Sequence, residues 1–378
     1  MTTTRRYELD WLRVLAFGVL IYFHAAIFFV PGGLPLIQNT ETSPVLKVFI
    51  EISTQFRLAL LFFISGVGVF FARRRRSEKA FIWERSQRLL IPFFVGLVFV
   101  VPPMVYTEKV FLGEFAGSLL AFYPLVFTTG LYPEGNLSWH HFWFVVYLYL
   151  FCLLGLGAFR KLGELSGEES DRLFGRFSGP GIFLVIPLLT VPEWLLRAAF
   201  PGFRNLIHDW ASFTLWFLVF LAGYIIAGRQ QLLEDIRQLR YLSTLGLLTA
   251  TISLYLLFGG PWPDFSRYEF IVPAYLIWCA LRVSMIWCAI LTCLGFAGQY
   301  LRVGNPVLSY LNEAVYPLFI LHLTTLVVLG YFIVPLSWSL WLKYLILTSA
   351  TFALILVFYQ VAIRPFNVMR LLFGVKPL

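Results

Sequence analysis

The sequence predicts an all-α integral membrane bundle of about ten transmembrane helices. Of its 378 residues, 59% are hydrophobic and 13% charged, where a soluble domain carries roughly 25% charged residues. The apolar residues fall in continuous runs of roughly 20, the length that crosses a bilayer at about 1.5 Å per helical residue. Those runs lack the period-two alternation of an outer-membrane barrel. A soluble globular enzyme, a disordered chain and a disulfide-stapled secreted domain are thereby excluded. Residues 1–378 read as a single membrane-embedded domain with no separate soluble domain.

The predicted spans are Leu9–Val30, Gln55–Ala72, Leu89–Tyr106, His140–Phe159, Gly181–Phe200, Ala211–Gly228, Tyr241–Phe258, Phe270–Phe296, Ser309–Phe332 and Ser339–Ile363. The fifth is the weakest, interrupted by Pro187 and Pro192 and followed by Glu193 and Arg197. Phe111–Thr129 carries Gly113, Glu114, Gly117 and Pro124 and reads as a re-entrant or interfacial segment. Arg5 and Arg6 precede the first apolar run, but Asp10 and Arg13 interrupt its start and no small-residue cleavage site follows, so it reads as a retained span.

The chain has 29 basic and 20 acidic residues, a net charge of +9. In a polytopic protein that excess marks cytoplasmic loops, so no nucleic-acid partner is expected. With the N-terminus inside, the loops holding Arg73–Arg76, Lys79, Arg85, Arg88, Arg160, Lys161, Arg172, Arg176, Arg229, Arg237 and Arg240 are all cytoplasmic, as is the tail with Arg364, Arg370 and Lys376. The opposite loops carry little beyond Lys47, Lys109, Arg204 and Arg267. Both termini are therefore expected in the cytoplasm. Cys152, Cys279, Cys288 and Cys293 all lie in apolar runs without a CxxC pair, and the histidines show no HxxxH or HExxH spacing, so no metal is expected.

An ionisable side chain inside a span is costly unless paired or hydrated, and each one is a candidate site. On the first span Arg13 and His24 are eleven residues apart, about 20° beyond three full turns and about 16 Å along the axis, so both face one groove. Asp10, one turn before Arg13, can pair with it. A core histidine above an interfacial ion pair is the plainer alternative for this stripe. On the second span Arg57 lies near the outer end, either functional or snorkelling to the surface, and Ser65-Gly66 suits close helix packing. Arg85 and Arg88, one turn apart at the third span's cytoplasmic boundary, suit either topology anchoring or a phosphate clamp. His140 and His141 open the fourth span beside Trp143. His322 lies in the ninth, with Asn312 and Glu313 two to three turns earlier, and Arg282 interrupts the eighth with no evident partner. No Walker loop, GxGxxG or GxSxG appears.

Taken in order, these segments resemble membrane-bound acyltransferase family 3. The likeness rests on Arg13 and His24 in LDWLRVLAFGVLIYFH, the Phe-x-Ser-Gly segment with Ser65 in FFISGVGVFF, and Arg85, Arg88 and Pro92 in ERSQRLLIP. It continues with His141 and Trp143 in HFWFV, and Tyr316 and His322 in YPLFILH. The opening RYELDWLRVLAF and the stretch NLIHDWASFTLWFLVFLAGY are most similar to the glucan biosynthesis protein C branch. The family also has members fused to an extracytoplasmic hydrolase-like domain, and this chain resembles a stand-alone form.

The resemblance implies a multi-pass protein of the bacterial inner membrane. It implies transfer of a succinyl or acetyl group from cytoplasmic acyl-CoA, a co-substrate, to a hydroxyl of a periplasmic glycan, with no cofactor. His24 would be the catalytic general base or an acyl carrier, since imidazole titrates near neutral pH. Arg13, Arg85 and Arg88 would bind the donor, and Asp10, Arg57, Ser65, His141, Trp143, Tyr316 and His322 would support the acceptor or the site. A transporter or flippase for a glycan or lipid-linked substrate is the alternative, although no duplicated halves are visible. A receptor-like or scaffold protein is a third reading.

Overall fold

The computed structural model describes residues 6–32, 37–165, 167–202, 204–263 and 272–378, with side chains left out at Gly167 and Val272. Arg5, Arg267 and Phe270, on which the charge pattern and the eighth span partly rest, lie outside the described residues.

In chain order the helices are α1 (Tyr7–Ala26), α2 (Pro44–Arg73), α3 (Glu78–Phe111), α4 (Leu119–Thr128), α5 (Trp143–Leu154), α6 (Leu156–Glu164), α7 (Gly167–Phe174), α8 (Val185–Arg197), α9 (Trp210–Ala227), α10 (Gln230–Gln238), α11 (Arg240–Phe258), α12 (Val272–Tyr300), α13 (Pro306–Ile333), α14 (Leu340–Phe358) and α15 (Asn367–Leu372). Among the described residues every regular element is helical, apart from an isolated bridge between Leu131 and Leu137. Among the described residues nine helical runs are long and apolar enough to cross a membrane, or ten if α5 and α6 count as one span. The protein is a multi-pass membrane bundle.

Two sequence expectations are corrected. The fourth span is not one straight helix: α5 and α6 meet at a 45° bend. Gly155 stands at the break, where a Cβ would lie 2.3 Å from the Phe159 ring. The third helical run is longer than Leu89–Tyr106, reaching from Glu78 to Phe111 with wide π-type turns at Ser86–Leu90 and Gly96–Val100. The Phe111–Thr129 segment, expected not to be a span, contains α4, whose 10 residues are too few to cross a bilayer.

The chain forms two compact units. The first comprises residues up to Ala16, Glu51–Ile82 and Leu150–Ser309. Here α2 and α9 meet backbone to backbone: a Cβ on Gly66 would lie 2.0 Å from the Phe220 carbonyl oxygen, and one on Gly223 2.2 Å from that of Phe63. Small residues permit this approach where no hydrophobic effect drives helices together in lipid. Trp287 is fully buried in the same core, and its indole N–H donates to the Ile182 carbonyl at 3.1 Å.

The second unit comprises Phe17–Ile50, Trp83–Tyr149 and Tyr310–Leu378. In α3, Pro102 and Pro103 have no N–H to give the carbonyls one turn back. The Tyr123 hydroxyl of α4 donates to the Val98 carbonyl at 2.7 Å, supplying a partner that the prolines cannot. Thr324 of α13 likewise donates to the Val100 carbonyl at 2.7 Å. Gly96 leaves room for Phe142, since a Cβ there would lie 2.0 Å from that ring. Lys343, buried near the start of α14, donates to Asn39 Oδ1 at 2.8 Å and to the Val334 carbonyl at 2.7 Å.

Candidate functional site

Three histidines that the sequence scatters over about 300 positions come together in the second unit. His24 Nδ1 and His322 Nε2 are 3.1 Å apart. The His322 ring centroid lies 5.0 Å from those of both His24 and His141. His322 is fully buried and His141 nearly so, while His24 is half-buried. Phe17, Phe319 and Phe142 pack around the group. The cluster therefore pairs two enclosed imidazoles with one that keeps some exposure.

The nitrogens do not converge as metal ligands would. His322 Nδ1 faces the Phe319 carbonyl at 2.6 Å, and His141 Nε2 faces that of Ile320 at 3.1 Å. Among the described residues no group of three or more His, Cys, Asp and Glu is placed to hold a metal ion.

Tyr316, Phe319 and His322 recur every three residues on α13 and line one stripe about 9 Å long. The Tyr316 and Phe319 rings are stacked, 9° from parallel. At the Tyr316 end lies the turn after α15. Gly374 has φ +70°, and a Cβ there would lie 2.3 Å from the Tyr316 ring and 2.8 Å from the Arg88 carbonyl oxygen. Arg88 donates from Nε to the Gly374 carbonyl at 3.3 Å, and its Nη1 lies 3.6 Å from Glu84. Arg85 is half-buried at the end of the helical turn that precedes the first wide turn of α3. Trp143 is buried and meets Tyr147 edge to face at 5.1 Å. Glu313 points away from the histidines: it accepts from Tyr359 at 2.6 Å and from Arg370 at 3.2 Å.

The remaining sequence candidates belong to the first unit. Arg13 Nη1 lies 3.7 Å from Asp10, the pairing expected from their spacing. A Cβ on Gly68 would lie 4.0 Å from Arg13 Nη2, so the second-span glycine segment runs beside this guanidinium. Ser65 bonds its own helix, donating to the Leu61 carbonyl at 2.8 Å. Arg57 does not snorkel; only 2% of it is exposed.

Arg282, which has no evident partner in the sequence, pairs with Glu193. Arg197 grips the same carboxylate with Nε and Nη2 at 2.8 and 3.1 Å. Arg282 also donates to Gln55 at 3.0 Å and lies over the rings of Trp262 and Trp278. The available signal was the Glu193-x-x-x-Arg197 spacing, which places acid and base on one face of a helix. Gly374 and the Phe319 carbonyl carried no sequence signal.

A family model described as an acyltransferase domain matches residues 6–360, nearly the whole chain. No curated protein and no solved structure matches it.

Proposed function

Because the chain belongs to the acyltransferase-domain family, matched from Arg6 to Gln360, we propose that this membrane acyltransferase moves a small acyl group from acyl-CoA to a hydroxyl of an extracytoplasmic glycan, with His24 as general base. The observation that supports this reading is the 3.1 Å contact between His24 and the buried His322. A half-buried imidazole held by an enclosed one can meet a substrate hydroxyl while keeping a fixed orientation.

In the proposed reaction the His24 imidazole removes the hydroxyl proton as that oxygen attacks the thioester carbonyl. The tetrahedral intermediate collapses, the C–S bond breaks, and the CoA sulfur takes the proton back from His24. The products are an ester and free CoA. Arg85 and Arg88 are proposed to meet the donor's phosphates, because guanidinium forks match phosphate oxygens. Arg13 is assigned to the donor as well. Succinyl or acetyl is the proposed acyl group and a periplasmic glucan the proposed acceptor, the glucan on the likeness to the glucan biosynthesis protein C branch, and the bacterial inner membrane is the proposed location.

The test is incubation of the purified protein, reconstituted in lipid, with isotopically labelled succinyl-CoA or acetyl-CoA and a periplasmic glucan. Mass spectrometry of the glucan is expected to show added acyl groups from one donor. An unmodified glucan with both donors would overturn the proposed substrates.

A further inference from the structure

The histidine contacts fix where the protons lie. His322 Nδ1 is 2.6 Å from the Phe319 carbonyl oxygen. A carbonyl can only accept, so this nitrogen bears hydrogen and donates. The His322 ring has no exposed surface and lies against Phe17, Phe319 and His141. A second proton would make it a buried cation, which is expensive. The neutral ring then carries its lone pair on Nε2, facing His24 Nδ1 at 3.1 Å. Two lone pairs would repel across that gap, so His24 Nδ1 bears hydrogen and donates. The neutral His24 ring is left with its lone pair on Nε2.

We infer that His322 is a positioning residue that holds His24 in the Nδ1–H tautomer and so makes Nε2 the basic nitrogen. The inference rests on the reading of His24 as general base. Which ring nitrogen is protonated is set by the hydrogen bond made by the other. Here that bond is anchored by the Phe319 carbonyl, three residues before His322 on the same helix, so α13 itself orients the relay. An unconstrained neutral histidine favours the opposite tautomer, with Nε2 protonated and unable to act as a base.

The proton balance is simple. The hydroxyl proton goes to His24 Nε2 while the oxygen's electron pair forms the new C–O bond. The electron pair of the C–S bond leaves on sulfur, and Nε2–H returns the proton to it. Nδ1–H stays on His24 throughout. Its bond to His322 strengthens while His24 is cationic, as charge-assisted hydrogen bonds do, and no proton passes to His322.

The test is magic-angle-spinning NMR of the full chain in lipid bilayers, with its 5 histidines labelled with nitrogen-15. Signals of His24 are assigned by their loss in His24→Gln, and spectra are taken at a pH where the ring is neutral. The wild type is expected to show His24 with a protonated Nδ1 and a bare Nε2. His322→Ala is expected to move most of that population to the Nε2–H form. His322→Gln, whose amide oxygen can accept from Nδ1–H, is expected to retain the wild-type tautomer. An Nε2–H tautomer of His24 in the wild type overturns the inference, as does an unchanged tautomer in His322→Ala. If His322→Ala does not fold, the wild-type spectrum alone decides. No substrate enters these measurements, so failure of the acyl-transfer reading and failure of the tautomer assignment are seen separately.

Discussion

Glu193 of α8 is the buried counter-ion of Arg282 on α12, 89 positions later in the chain. Arg197 completes the group from the next turn of α8, and all three side chains are nearly or wholly buried. Removing the one carboxylate leaves two guanidinium groups facing each other without it. Loss of one member of a buried pair costs about 3–5 kcal/mol. Glu193→Gln is therefore expected to lower the thermal unfolding midpoint of detergent-purified protein more than the control Glu114→Gln, an exposed position. Equal midpoints for the two variants would show that the cluster contributes little to stability.

Gly374→Ala probes the turn beside Arg88. Its φ of +70° disfavours a side chain, at roughly 1–2 kcal/mol, and its new methyl group would collide with the Tyr316 ring. The turn must shift, taking with it the carbonyl that accepts from Arg88. The Michaelis constant for the acyl donor is expected to rise while the turnover number changes less. Steady-state kinetics at saturating acceptor separate the two. A normal donor constant would detach this turn from donor binding.

Arg85 and Arg88 are open to a direct test. Charge-assisted contacts to phosphate contribute about 1.5–3 kcal/mol each, so Arg88→Ala is expected to weaken CoA binding roughly tenfold to a hundredfold. Lys at the same position should restore only part of it, because the fork is lost. The measurement is calorimetric titration of matched folded fractions with CoA. Equal affinity in wild type and the double Ala variant would sink the clamp.

Topology is checked by labelling single cysteines in intact cells. From the excess of basic loops the segment before α2 is expected outside and α10 inside. Thr40 and Gln231 are both exposed, whereas Asn39 is buried against Lys343. Thr40→Cys is expected to react with an impermeant maleimide and Gln231→Cys to remain unlabelled until the cells are opened. The reverse pattern would invert the bundle.

How much of this was legible follows from the range of each interaction. Spans are written locally, as runs of apolar residues, and were readable apart from their ends and the bend at Gly155. The pairing of Asp10 with Arg13 is a one-turn spacing and was equally visible. Gly66 could be read as a packing residue from Ser-Gly alone, though not that Phe220 is what it meets. The approach of His24 to His322 joins positions 298 apart, and the partner of Arg282 lies on a different helix. Neither distance is encoded in any periodicity of a single chain. The two compact units are likewise each built from three separate stretches of sequence, so a linear scan had no boundary to find. The tautomer of His24 depends on a backbone carbonyl, a group that every residue carries and that no residue name reveals.

His24 is proposed to perform the proton transfer. Losing a general base typically costs about 10²–10⁴-fold in rate. The most direct measurement is CoA release by purified, folded His24→Ala protein, with saturating donor and acceptor, beside wild type prepared identically. Turnover is expected to fall by about two to four orders of magnitude, with the donor still binding at near wild-type affinity. Turnover within a few-fold of wild type would contradict it and return His24 to the role of a core histidine.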